Sequence, residues 1–261
     1  MQIRHIILYP VKGFPGIEVN QARIGATGFE GDRCFMLVDS SGRFISQREF
    51  PELTRFRLKD AAGKIQITHA DHEKFFVELS TDIIGEKIEV VIWDDHVEAV
   101  NMGNEYNNLF SEIIGVKCSL VWMKDPSARP RLVGNYPNKI NVSFADSSPY
   151  LVISESSHRN LIERVGQDLE WIRFRPNIII DSIDAYGEDE LTHFGNEKYQ
   201  FSFLKRCGRC QVPNLDPLTG EYSKEPLRTL NEFRKEGNQV FFGSYFFSEN
   251  NGTVVSVGDT V

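Results

Sequence analysis

The chain is short of cysteine and of basic charge, and it has no long apolar run. Its four cysteines, Cys34, Cys118, Cys207 and Cys210, are spread over 261 residues. They form no secreted disulfide framework, so a reducing cytoplasm is the expected setting. Lys and Arg total 29 against 37 Asp and Glu, a formal net charge of −8. That balance argues against a protein that grips nucleic acid by its phosphates, and no nucleic-acid partner is expected. No window reaches the ~18 consecutive apolar residues of a membrane span. The opening residues, Met1 to Pro10, carry a short apolar run without a small-residue cleavage site and read as a first strand. No G-x-G-x-x-G follows a predicted strand, so no nicotinamide or flavin domain is visible.

Hydrophobic residues make up 41% and charged residues 25%, which suits a globular chain long enough to bury its own core. The first part reads as β-rich. Strands are expected at Arg33–Asp39, Phe44–Gln47, Lys64–His69, Phe75–Leu79 and Lys87–Trp93, punctuated by Gly13-Phe14-Pro15-Gly16, Asp39-Ser40-Ser41-Gly42 and Ala62-Gly63. A helix is expected at Glu105–Ile114, stopped by Gly115, then a buried strand at Cys118–Met123. The stretch Lys124–Ser148 is polar and Pro-rich, and a connection that long is often functional. A boundary near residue 122 would divide the chain into 1–122 and 123–261.

The second part is more mixed. Tyr150–Ser154, Asn177–Asp181 and Tyr199–Leu204 read as strands. Ser156–Val165 reads as a helix capped by Ser156 or Ser157 and stopped by Gly166, and Pro226–Lys235 as a helix opened by proline. Gln239–Phe247 and Thr253–Val261 look like paired strands joined through Asn250-Asn251-Gly252. The fold class is α+β, mainly β.

The sharpest local feature is Arg206-Cys207-Gly208-Arg209-Cys210. A Cys-x-x-Cys serves as a redox disulfide, half a zinc site or a soft-metal ligand. A closed zinc site wants further ligands, but Cys34 and Cys118 stand alone and no histidine is spaced as their partner. A thioredoxin-like site wants a helix after the motif, which Pro213 and Pro217 oppose. Two unreactive structural cysteines are the plain alternative. The neighbouring arginines favour a thiolate and fork onto phosphate, a pairing that suits a phosphorylated, metal-bearing cofactor.

At this point the chain resembles the MOSC-domain family, in particular its mitochondrial amidoxime-reducing and bacterial YcbX-like members. The resemblance rests on Tyr9-Pro10-Val11-Lys12-Gly13, Gly31-Asp32-Arg33-Cys34 running to Asp39, and Ser46-Gln47-Arg48. It continues through Asp146-Ser147-Ser148-Pro149, Arg173-Phe174-Arg175-Pro176-Asn177, Cys207-Gly208-Arg209-Cys210 with Asp216-Pro217, Gly243-Ser244-Tyr245 and Gly258-Asp259. Each block is weak alone, and their order and spacing carry the match across nearly the whole chain. It implies an N-terminal β-barrel-like domain packed on a β-barrel MOSC domain with a few helices.

The resemblance also implies the molybdenum cofactor, whose metal is held by the dithiolene of a phosphorylated pterin. Cys210 would be its thiolate ligand. Lys12, Arg33, Arg175 and Arg209 would meet the phosphate and pterin, with Gly13, Ser147, Ser148, Asn177, Gly208 and Tyr245 around them. It implies reduction of N-hydroxylated compounds with electrons from a separate flavoprotein or iron–sulfur carrier, or alternatively a sulfur carrier that uses a cysteine persulfide. Plain alternatives stand beside these roles. Lys12 would be a solvated lysine, Arg33 a partner of Asp39 or Glu30, Arg175 and Cys207 structural, and the two serines turn caps. Asp94-Asp95 and Glu188-Asp189-Glu190 read as solvated acidic faces.

Overall fold

A computed structural model describes residues 1–61, 63–83 and 85–261; Ala62 of the expected Ala62-Gly63 turn lies outside the described residues. The fold is α+β and mainly β. The largest sheet runs, in spatial order, through His193–Gly195, Gln200–Gly208, Gln239–Phe247, Tyr150–Ser154, Ile178–Ile180, Ile3–Leu8 and Ile17–Val19, with Lys235–Glu236 paired to Gln239–Phe247. A second sheet orders Phe35–Asp39, Cys118–Trp122, Asp95–Asn101 and Lys87–Ile92. Smaller sheets join Phe56–Ala61, Lys64–His69 and Phe76–Leu79, and Val254–Ser256, Gln21–Gly25 and Gly28–Phe29.

The alternation of branched and polar residues explains most of these strands. Glycine explains how two helices end. Asn104–Ile114 stops at Gly115 and Glu155–Val165 at Gly166, each left-handed and each donating its N–H back into the last turn. The second helix is capped two to three residues earlier than expected. Ser154 is its N-cap, its hydroxyl accepting the N–H of Ser157.

Three local expectations are corrected. Phe44–Gln47 is not a strand; Phe44 bridges Val38 and donates to the Val91 carbonyl, Ile45 donates to the Leu37 carbonyl, and the segment then turns off to line a cavity. Gln239–Phe247 and Val254–Ser256 do not pair. The first lies between Gln200–Gly208 and Tyr150–Ser154, and the second pairs with Gln21–Gly25. The turn between them is not a two-residue hairpin loop, and Gly252 donates to Ile24 instead of closing one. Arg33 lies outside its expected strand, which begins at Phe35.

The sheets cross the expected boundary at 122. Ile3–Leu8 pairs with Ile178–Ile180, and Gln21–Gly25 with Val254–Ser256, so the first strands lie in sheets completed by the last third of the chain. The chain then leaves the large sheet at Tyr9 and reaches the four-stranded one, where Val11 bridges Phe35 and Lys12 N–H donates to the Phe35 carbonyl at 2.8 Å. Separate apolar cores lie on the two sides of this crossing. One gathers Phe14, Phe35, Phe56 and Phe110, and the other Ile6, Tyr150, Ile178 and Phe246. Among the described residues, no helix is long and apolar enough to cross a membrane.

Candidate functional site

A cavity of about 520 Å³ opens at the seam between the two bodies of sheet. Its wall comes from the Lys12–Gly13 crossing, the Phe44–Arg48 segment, the Trp93–Asp94 turn and Ala145–Ser148. It is completed by Arg173–Asn177, Lys205–Cys210 and Tyr245. All eleven residues singled out above, Lys12, Gly13, Arg33, Ser147, Ser148, Arg175, Asn177, Gly208, Arg209, Cys210 and Tyr245, line it. Nine lining residues are Lys or Arg and two are acidic. In a chain of net charge −8, that concentrates positive potential in one concave place.

Arg33 and Arg175 form its centre. Both are non-glycine residues in the left-handed region, with φ of 49° and 57°. Their guanidiniums lie over the same buried ring, 4.6 and 4.3 Å from the centroid of Tyr9. Arg33 Nη1 donates to Asn177 Oδ1 at 2.9 Å and to the neighbouring Asp32 at 2.5 Å, and Nη2 donates to the Arg175 carbonyl at 3.2 Å. Its carboxylate partner is thus Asp32, neither Asp39 nor Glu30. Burial pulls Arg175 down to about 10, and the adjacent Arg33 adds to the effect. Arg33 is answered by Asp32, whereas the half-buried Arg175 has no carboxylate partner among the described residues, so an added anion would favour its charged form.

Lys12 is also buried. Its ammonium donates to the Phe144 carbonyl at 3.0 Å and pairs with Asp146. Burial lowers it to about 8 despite Asp146. Enclosure in the cavity works against ionisation of Asp146, yet Lys12, Arg33 and Arg175 outweigh it and hold that carboxyl well below the usual range. Arg209 is fixed in the opposite wall, Nε donating to the Phe242 carbonyl and Nη1 to the Phe174 carbonyl, both at 2.9 Å. Its Nη2 is buried without a partner among the described residues, a donor left over for a ligand.

The remaining residues divide into those that face the cavity freely and those engaged elsewhere. Asn177 is 1% exposed. Its amide donates to the Ile7 carbonyl and accepts from Leu151 N–H and Arg33, so it positions Arg33 and ties three segments together. Gly13 has φ +83°, so only its backbone is offered. Ser148 is buried, its hydroxyl 3.4 Å from that of Ser147. Arg206, paired with Glu236 at 2.6 Å, directs its charge away.

The two cysteines differ sharply. Cys207 is 2% exposed and lies beside Tyr245; burial pushes its thiol up and the Tyr245 phenol well up. Cys210 is exposed on the cavity wall. Among the described residues, no group of three or more His, Cys, Asp or Glu side chains forms an all-protein metal site.

Several lining residues were not singled out from sequence. Asp146, Arg173 and Arg48 belong to blocks quoted above, and only their exposure to the cavity was missing. Lys205, Arg131 and Trp93 carried no local signal. Arg173 is held by Asp216, whose other oxygen accepts Leu218 and Thr219 N–H at 2.9 Å. The expected acidic faces are partly wrong. Glu188 is fully buried, accepting from Ser154 and Ser157, and Asp189 pairs with Arg234. Asp95 pairs with the buried Arg129 at 2.8 Å.

Comparison with known proteins agrees with this architecture. Residues 1–117 match the MOSC N-terminal beta barrel domain and residues 139–261 the MOSC domain. The chain is 26% identical to human (Homo sapiens) mitochondrial amidoxime-reducing component 1, over 99% of this chain and 82% of that protein. It is 29% identical to molybdenum cofactor sulfurase of Solanum lycopersicum and 30% to that of Oryza sativa subsp. japonica. Those matches cover 98% and 93% of this chain but only 35% and 32% of the sulfurases. The chain belongs to the MOSC-domain family, with a MOSC N-terminal beta barrel domain followed by a MOSC domain.

Proposed function

We propose that the cavity holds the molybdenum cofactor and that the chain is a reductase of N-hydroxylated compounds (amidoximes, hydroxylamines and N-hydroxylated bases). It would draw electrons from a separate flavoprotein or iron–sulfur carrier and act in the cytoplasm. The observation that carries this reading is the convergence of a cationic cavity with one exposed thiol, Cys210, on its wall. The residues suit the group. The volume is that of a cofactor pocket. The unpartnered Arg209 Nη2, and Arg175 with no carboxylate partner among the described residues, suit an anion with several acceptor oxygens.

In this reading Lys12, Arg33 and Arg175 hold the phosphate end, and Ser147 and Ser148 offer hydroxyls to the pterin edges. Arg209 spans the wall between them and Cys210. The Cys210 thiolate would ligate the metal, and the softness of its sulfur would tune the potential. Asn177 and Asp32 keep Arg33 aimed, Asp216 does the same for Arg173, and Tyr245 closes the wall beside Cys207. When bound, the cofactor supplies the two-electron chemistry that removes oxygen from an N–O bond. The test is turnover of benzamidoxime by cofactor-loaded protein with an artificial electron donor. Amidine should form in wild type and none in Cys210→Ala; loaded wild type without turnover would refute the reductase.

A second reading, a sulfur carrier, is favoured by the likeness to the sulfurases and by the accessible thiol of Cys210. It requires a persulfide on Cys210 after sulfur loading. Mass spectrometry of the intact chain would show the added sulfur or remove this reading.

A further inference from the structure

The rim of the cavity carries aromatic surface and a cation that the proposed cofactor residues do not use. The hairpin formed by Lys87–Ile92 and Asp95–Asn101 turns through Trp93 and Asp94, and Trp93 has φ +57°. Two-residue hairpin loops take Asn, Asp or Gly where φ is positive, and a bulky aromatic persists there only when its surroundings fix it. Here the indole N–H donates to Asp146 Oδ1 at 3.3 Å and the Phe44 ring packs 4.9 Å away. The side chain nevertheless remains 39% exposed.

The Arg48 guanidinium lies over this indole, 4.4 Å from the ring centroid. Arg131, Arg173 and Arg206 each have a carboxylate partner, whereas Arg48 and Lys205 have none among the described residues; Lys205 lies over Tyr245, 5.8 Å from the ring centroid, on the wall beside Cys207, and Arg48 is the one stacked on Trp93. A guanidinium stacked on an aromatic face keeps its in-plane N–H fork free and loses little freedom when it binds. Tyr222, 43% exposed, donates its hydroxyl to the carbonyl of Gln47 at 3.3 Å. Gln47 lines the cavity and precedes Arg48, so this hydrogen bond holds Tyr222 at the outer edge of the same part of the rim.

We infer that this rim is a specificity surface: Arg48, stacked on Trp93 and flanked by Tyr222, selects planar N-hydroxylated substrates that carry an anionic group. The inference rests on the reductase reading for the N-hydroxyl function, and on the chain's own residues for the anionic and planar preference. The probes are 4-carboxybenzamidoxime, benzamidoxime and acetamidoxime. Binding is followed by tryptophan fluorescence at fixed ionic strength, with Trp93→Phe assigning the signal, and KM and kcat are measured on loaded protein.

The carboxylate compound should bind about tenfold or more tightly than benzamidoxime, as expected for a charge-assisted pair, and acetamidoxime most weakly. Arg48→Gln should abolish the carboxylate preference, and Arg48→Lys should restore part of it. The effect should lie in KM more than in kcat. Equal affinities in wild type, or a preference that survives Arg48→Gln, would overturn the inference. Binding with the expected preference but without turnover supports the rim and removes the reductase. Turnover without preference removes the rim and leaves the reductase.

Discussion

Cys207 and Cys210 are three residues apart and in opposite environments. Burial makes Cys207 a packing residue with a suppressed thiolate, whereas Cys210 opens on the cavity. Cys207→Ala should lower stability by ~1–2 kcal/mol through a small buried void and leave ligand binding intact. Cys210→Ala should change stability by less than ~0.5 kcal/mol. Urea unfolding of both variants checks the pair. From sequence the Cys-x-x-Cys was plain, but which sulfur faces the cavity was implied by resemblance alone. Exposure depends on strands far away in the chain.

Lys12 gives a pH dependence with a definite sign. Its folded pKa is lowered from 10.5 to about 8. Between those values the unfolded chain binds a proton that the folded chain does not, so this group makes stability rise with pH across that window. Anion binding runs the other way, because the ammonium charge is present below about pH 8 and lost above it. Affinity for inorganic phosphate, measured by calorimetry, should fall as pH rises through 8. Lys12→Met should bind more weakly and lose most of that dependence.

At the scale of elements, the site depends on a polar tie between strands. Asn177 joins Ile7, Leu151 and Arg33, and Asp32 joins the Tyr9 N–H to Arg33. Asn177→Ala leaves several buried groups unmet and should destabilise by ~2–4 kcal/mol, while also weakening phosphate binding. Gly243 shows the same dependence on backbone approach. With φ +73°, a Cβ there would sit 2.7 Å from Ile153 Cγ2 and 2.8 Å from the Val152 carbonyl. Gly243→Ala should therefore destabilise by ~2 kcal/mol or more in a denaturant titration.

Local signals announced the elements well. Glycine stops marked Gly115 and Gly166, and branched runs marked Lys64–His69 and Tyr150–Ser154. They did not announce partners. Nothing near Val254–Ser256 names Gln21–Gly25 as its neighbour, because strand pairing is decided by packing across the whole fold. The buried Glu188 was misread for a similar reason. Ser154 and Ser157, which donate to its Oε2 while its Oε1 has no partner among the described residues, lie about thirty residues earlier.

At the scale of the molecule, an acidic chain turns a positive cavity inward along a seam. The seam exists because the first strands belong to sheets completed by the last third of the sequence. Residues 123–261 expressed alone would lack Ile3–Leu8 and Gln21–Gly25, and should show no cooperative thermal transition by circular dichroism. A sharp transition would mean that the second body folds without them. The cavity was legible in outline because its residues sit in short ordered blocks. Its positive sign was legible too, through Lys12, Arg33, Arg175 and Arg209; its rim was not, because Arg48, Trp93 and Lys205 meet only after folding.

The central claim is that this seam binds a metal through Cys210. Molybdenum content per chain settles it most directly, measured by elemental analysis on wild type and Cys210→Ala from cells that synthesise the cofactor. The account predicts about one molybdenum per wild-type chain and loss of the metal from a folded variant. A folded wild type without molybdenum, or a variant that retains it, would contradict the account.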